Sequence, residues 1–328
     1  MIDTSNVRLH SFLSAKKIQR YFSRFKTNKL EMPQNEFIVY LLRGKNLYSF
    51  QLSAIDKASI QLKNKVKIEL PLTVISDNRI DNEDELSEYL LDIVEYFDVG
   101  PAPGLLLLDT YYFFNMFLEE DTLDKVDLQI YSPHNSFDTV FSVDKPTDMP
   151  FWNLSYASES LLSSWGKCLQ STASKCAYIG SLFYPLIHEI SIQYDSFGLL
   201  DLHNASATLL LYSNGRVISK FLPFGLNQYL NGDIFMVSEF VNRLTKSIVK
   251  ASTDNSFSSP KNIFYLSDRG LDTSSSRFFN LQSVSDFLSV SYQKSMSMKV
   301  FEAAEVSDEL FISLSLLSIV SLINVLES

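Results

Sequence analysis

The chain has 328 residues, 46% of them hydrophobic and 20% charged, a composition that builds two lobes or one large domain around a packed core and excludes a disordered polymer. Its net charge of −10 excludes nucleic-acid binding by the surface as a whole. Two cysteines (Cys168, Cys176) and four histidines (His10, His134, His188, His203) give neither a disulfide framework nor metal-ligand spacing, which makes a reduced cytosolic setting the default.

The first thirty residues carry seven Lys or Arg and one Asp, a net +6, which leaves −16 on the remainder. They lack the uninterrupted apolar core of a signal peptide. Ile18, Tyr21, Phe22 and Phe25 share one helical face, with Lys16, Lys17, Arg20, Arg24 and Lys26 around it. Three readings of this arm (1–35) stand open: docking on the acidic body, lying on an anionic membrane surface, or serving as a calmodulin-type target, although Ser23 stands where that motif wants Arg. Strands are predicted over 37–42, 47–52, 59–62 and 66–70, with Arg43-Gly44-Lys45-Asn46 as the first tight turn.

Residues 84–97 give the clearest helix: Leu86, Tyr89, Leu90, Ile93, Val94 and Phe97 repeat at helical spacing, and Asp81, Glu83, Asp84 and Glu85 complement its N-terminus. The run Leu105–Leu108 reads as a buried strand. The acids Glu119, Glu120, Asp121, Asp124 and Asp127 read as a solvated loop without EF-hand spacing. Further strands are predicted at 126–131, 139–143 and 177–179, and helices at 160–169 and 182–190. Val237, Phe240, Val241, Leu244 and Ile248 mark another amphipathic helix, and 263–266 a short buried strand. The apolar segment 310–326, interrupted by four Ser and Asn324, reads as a buried helix rather than a membrane span, because it falls short of the ~20 residues a span needs. No tandem repeat has a fixed spacing.

The most specific stretch is 197–225. An apolar strand ends in Asp201, and a polar step, Asn204-Ala205-Ser206, leads into a second strand over 208–212. Asn214-Gly215 then predicts a type I′ turn, in which both central residues take positive φ. A third strand, 216–222, ends in Pro223-Phe224-Gly225. This order resembles the second phosphate-loop hairpin of the actin-like ATPase superfamily, and within it the PilM/FtsA-like proteins. The Asp, the Asn-Gly and the Pro-x-Gly of that pattern are present, but His203 stands where the pattern has glycine.

The resemblance implies an α/β protein with an actin-like, ribonuclease H-like fold of two lobes and a small inserted subdomain. It divides the chain into the arm (1–35), a first lobe (36–196) with the subdomain at about 119–178, and a second lobe (197–328) closed by a buried helix. In that superfamily glycine-bearing hairpins bring backbone N–H groups around the phosphates of ATP, and strand-end acids hold Mg²⁺. The matching positions are Gly44 and Lys45 in the first hairpin, Asp201, His203 and Asn204 in the second, and Asp268, Arg269 and Gly270 in a third loop where the family carries a Gly-Gly pair. Asp201 is either a metal or phosphate-water contact or a strand-end Asp making an Asx turn. His203 is either a general base or a solvated turn residue. No Gly-x-Ser-x-Gly motif supports hydrolase chemistry.

Three departures at three loops argue against an ordinary triphosphate site. The expectation is therefore a non-catalytic scaffold with no catalytic or metal-ligating residues and no cofactor, ATP and Mg²⁺ entering only if the site is retained. The resemblance further implies a cytoplasmic place at the inner face of the inner membrane, in a type IV pilus or type II secretion-like assembly. The implied partner is the short cytoplasmic tail of a bitopic membrane protein lying extended in a groove of the first lobe, and Tyr111, Tyr112, Phe113 and Phe114 are candidates for that groove. Two alternatives remain: an active actin-like ATPase with an atypical site, and a membrane-peripheral adaptor acting through residues 1–30.

Overall fold

The computed structural model describes residues 36–284 apart from 57–58, 77–78, 101, 110–111, 120–138, 145–150, 173–175, 228–233, 258 and 268–279. The basic arm, the strand expected at 126–131 and the apolar segment 310–326 lie outside the described residues.

Strands β1 (Glu36–Arg43), β2 (Asn46–Asp56) and β3 (Ser59–Glu69) form an antiparallel meander. A short hairpin follows, β4 (Ile75–Ser76) and β5 (Arg79–Ile80), and then helix α1 (Glu83–Phe97). Strand β6 (Gly104–Leu108) returns parallel to β1, and β10 (Cys176–Ser181) adds parallel to β6, so the first sheet runs β10-β6-β1-β2-β3. The second half repeats this plan. Strands β11 (Ser196–Leu202), β12 (Ala207–Ser213) and β13 (Arg216–Leu222) meander, and β14 (Asn262–Leu266) and β15 (Asn280–Ser283) add in parallel on the β11 side. Both sheets therefore carry the same strand order with the same pairing senses, an internal duplication of topology.

Packing explains the apolar runs. In β1, Ile38, Tyr40 and Leu42 face one side and Val39 and Leu41 the other, and all five are fully buried, since the sheet is covered on both faces. One face packs on α1, through Leu86, Leu90, Ile93 and Phe97, and on helix α2 (Glu159–Ser171), through Leu161, Leu162, Trp165 and Leu169. The other face meets helix α3 (Phe183–Ser191). Its Phe183, Leu186, Ile187 and Ile190 also touch Phe197, Leu199, Phe264 and Leu266 of the second sheet. One hydrophobic core thus spans both lobes around α3. The far face of the second sheet is covered by helix α4 (Ile234–Asp254), through Phe240, Leu244 and Ile248.

A three-stranded sheet is inserted between β6 and α2, made of β7 (Phe114–Leu118), β8 (Thr139–Asp144) and β9 (Trp152–Ser158) in the order β7-β9-β8. It leans on the second lobe. The Asn115 N–H donates to Ser219 Oγ (2.7 Å), and Asn153 Nδ2 donates to the Gly215 carbonyl (2.7 Å) while its Oδ1 accepts from Val217 N–H (3.2 Å). The Arg216 guanidinium pairs with Glu119 at 2.7 Å and lies 5.2 Å from the ring centre of Phe117, which stacks on Phe257. The architecture is the two-lobed α/β arrangement with a small inserted sheet that the hairpin pattern implied. One local expectation changes. Residues 59–62 and 66–70 do not form two strands: β3 is continuous, and the intervening Lys63 and Lys65, which resembled a break, point outward from an edge strand that lysines protect from foreign pairing.

Candidate functional site

Two turns face each other between the lobes. The β1–β2 turn is Gly44-Lys45, and Gly44 takes the left-handed φ of +57° that a two-residue hairpin demands at its first central position. In the second lobe, the turn His203–Ser206 joins β11 to β12, closed by a hydrogen bond from His203 N–H to the Ser206 carbonyl (2.9 Å). The segment after β13 seals this turn from behind: Leu226 N–H donates to the His203 carbonyl and Asn227 N–H to the Asn204 carbonyl, both at 2.8 Å. Gly225 makes that approach feasible, because a Cβ there would stand 2.3 Å from the His203 carbonyl oxygen. The Asn214-Gly215 turn has φ of 48° and 85°, as a type I′ turn requires.

The strand ends deliver four ionisable groups to the gap. Arg43 ends β1, Asp109 follows β6, and Asp201 and His203 come from β11 and its turn. The Arg43 side chain is 2% exposed and that of Asp201 is fully buried. Arg43 Nη1 donates to Asp201 Oδ1 at 2.7 Å, and Nη2 donates to the Leu202 carbonyl at 2.9 Å. The second oxygen of Asp201 is 3.0 Å from His203 Nε2, and Asp109 Oδ2 lies 4.0 Å from the same nitrogen. Asp109 Oδ2 also accepts the Gly44 N–H at 2.8 Å. The two Arg43 contacts and the Asp109–His203 approach cross between the lobes, whereas Asp201–His203 and Gly44–Asp109 each stay within one.

The electrostatics follow from burial. Burial raises the Asp109 carboxyl above its ordinary 3.8, and the Asp201 charge adds to that, against the opposing pull of His203, the Gly44 amide and Arg43. Burial alone would lower the His203 imidazole. The Asp201 charge, its hydrogen bond and the Asp109 charge outweigh that and raise it above 6.5. The two buried acids, Asp109 and Asp201, thus face Arg43 and an imidazole whose protonated form they favour. Removing one partner of such a buried pair strands the other charge and costs about 3–5 kcal/mol.

An open cavity of about 420 Å³ lies beside this cluster, lined by the Arg43–Asn46 turn, Leu72, Asp109, Tyr112 and the His203–Ser206 turn. Of the expected site residues, Gly44, Lys45, Asp201, His203 and Asn204 converge here. Lys45 is half exposed and pairs with Glu69. Asp268, Arg269 and Gly270 lie outside the described residues, as does Tyr111. Tyr112 and Phe113 are each 4% exposed and belong to the first-lobe core, and Phe114 is half-buried against Tyr156. Burial thus leaves Phe114 as the aromatic of this group with accessible surface among the described residues. Arg43 and Asp109 were not expected in the site. Their signal is the one that marked Asp201: a charged residue closing a fully apolar strand, as in Leu41-Leu42-Arg43 and Leu107-Leu108-Asp109.

The residues present do not fit a metal–triphosphate group. Asp201, the strand-end acid that would meet the metal, has one oxygen on Arg43 and the other on His203. The Arg43 guanidinium reaches from the first hairpin to Asp201 and the Leu202 carbonyl, and His203 places a side chain where the resembling hairpins have glycine.

The sequence matches no protein-family model and no curated protein. The structure, by contrast, is similar to a chain of the PilM–PilN type IV pilus biogenesis complex. The likeness covers 87% of this chain and 98% of that one at 13% identity, with a TM-score of 0.64. It is also similar to a Bacteroides thetaiotaomicron protein of actin-like ATPase fold and unknown function, over 88% of this chain and 98% of that one at 9% identity, with a TM-score of 0.51. The chain therefore has the actin-like fold.

Proposed function

We propose that this chain is a non-catalytic, actin-like scaffold of an inner-membrane pilus or secretion-like assembly, cytoplasmic and peripheral to the membrane, which holds the short cytoplasmic tail of a bitopic membrane protein. The observation that carries the non-catalytic half is the Arg43–Asp201 ion pair between the two hairpin turns, 2.7 Å long and buried. A phosphate-handling hairpin needs open backbone amides and a strand-end carboxylate free for a metal. Here the carboxylate is committed to the protein's own cation and imidazole. The assembly half rests on the end-to-end likeness to a chain of the PilM–PilN complex.

A tail peptide would pair its backbone with an open strand edge and set alternate side chains into pockets. Among the described residues the inserted sheet offers such an edge at β8, since β7 turns toward β13 and β9 lies between. A basic arm of +6 at residues 1–30 would add attraction to anionic lipid beside that assembly, about 1 kcal/mol for each Lys or Arg near the surface.

The two halves have separate tests. Phosphate release from ATP with Mg²⁺ should stay at the level of buffer; turnover that is lost in Asp201→Asn would restore the reading of an active ATPase with an atypical site. Co-expression with a bitopic inner-membrane protein of a pilus or secretion-like assembly from the same organism should give a complex that disappears when that partner's cytoplasmic tail is deleted. A complex that survives the deletion would overturn the tail-binding reading.

A further inference from the structure

We propose that Arg43 is an internal clamp: its guanidinium, in place of a bound ligand, holds the two hairpin turns together and sets the lobes in one closed arrangement. This rests on the non-catalytic reading of the same site and adds what the Arg43 bridge does.

The geometry is that of a bridge. Arg43 belongs to the first lobe, and both of its contacts given above lie on the second, one to a side-chain oxygen of Asp201 and one to the backbone carbonyl of Leu202. A planar fork that reaches two acceptors in different directions fixes orientation as well as distance, which a lysine or a point charge does not. The next residue, Gly44, is tied by its N–H to Asp109 at the end of β6, so the turn bearing the clamp is anchored to its own lobe. On the far side, the 203–206 turn is anchored by the amides of Leu226 and Asn227. Both jaws are therefore braced, and the guanidinium joins them.

A second tie lies at a distance, where the inserted sheet grips β13 through Asn115, Asn153 and Arg216. With the shared core around α3 between these ties, hinge motion of the lobes would have to break the buried ion pair first. The scaffold thereby presents a fixed surface whatever the nucleotide level around it.

Amide hydrogen exchange on the full chain tests the clamp. In the wild type, Gly44 and the 203–206 turn should be protected, and 10 mM ATP with Mg²⁺ should leave that protection unchanged. In Arg43→Gln, exchange in both turns should rise by about tenfold or more while helix α1 keeps its protection. Because Arg43→Gln leaves Asp201 buried without its cation, the charge-neutral pair Arg43→Gln with Asp201→Asn is the second variant. It should fold and show the same loss in the two turns, and Arg43→Lys should fall between. Unchanged protection in the neutral double variant would overturn the clamp, whatever nucleotide does. Nucleotide binding to a wild type whose turns stay equally protected would overturn the non-catalytic reading and leave the clamp standing. A gain of protection on adding nucleotide would overturn both.

Discussion

His203 sits between a carboxylate of its own lobe and one of the other, and this makes the cleft sensitive to protons. Its folded pKa lies above the ordinary 6.5, so the stability it contributes is fully present below about pH 6.5 and is lost as pH rises through the folded value. Asp109 acts in the same direction. Its pKa is raised by burial, so ionising it in the fold costs more than in the unfolded chain. The charged neighbours of this pair are Arg43, Lys45 and Asp201, and the remainder of the turn, Asn204 to Ser206, is neutral. Melting temperature should therefore fall as pH rises above about 6.5, and His203→Gln should flatten that fall; a flat or rising wild-type profile would contradict the assignment. Gly225 makes a purely steric counterpart. A methyl group there would meet backbone atoms of His203 and Ser206 at 2.3 to 2.7 Å, and backbone cannot step aside as a side-chain end can. Gly225→Ala should cost about 1–3 kcal/mol in urea unfolding. Gly100→Ala, with open space around it, should be close to neutral. At this scale sequence was half informative. Asp201 was marked by its place at the end of an apolar strand before an Asn-Gly hairpin. Arg43 was not, because the partner that explains it lies 158 residues away.

Elements with strong local signals were legible. The period of Leu86, Leu90, Ile93 and Phe97 is that of an amphipathic helix, and α1 runs from Glu83 to Phe97 with Asn82 as its cap. The Asn82 side chain accepts the Glu85 N–H at 3.2 Å and donates to the Glu85 carboxylate at 3.0 Å. Asn82→Ala should cost about 1 kcal/mol, read as a shift in the urea midpoint with unchanged slope, and Asn82→Asp should recover most of it. No shift would mean that tertiary packing alone holds the helix start. Two of the strands that escaped the pattern, β7 and β9, failed for one physical reason. Asn115, Asn153 and Ser155 are buried in a sheet that leans on the β13 hairpin, to which the Asn153 side chain and the Asn115 backbone N–H bond, so alternation of apolar and polar residues does not report their environment. The break inferred within β3 failed for the opposite reason: consecutive polar residues on an exposed edge look like a turn.

At the scale of the whole molecule, two sheets of the same order enclose one helix, and the lobes share a core rather than merely touching. The duplication was not visible as a sequence repeat, because what recurs is the order and sense of strands, which many apolar sequences satisfy. The 197–225 hairpin was visible, since Asn-Gly and Pro-Phe-Gly serve a turn and a close backbone approach that few residues allow. On the proposed reading, the contact of Arg43, Asp201 and His203 between the lobes stands where a nucleotide would otherwise bind. Calorimetric titration of the full chain with ATP and Mg²⁺ measures that claim most directly. The account predicts no binding tighter than about 1 mM, near −4 kcal/mol. Micromolar affinity would contradict it, because it would require Asp201 and the cleft to be open to the nucleotide after all.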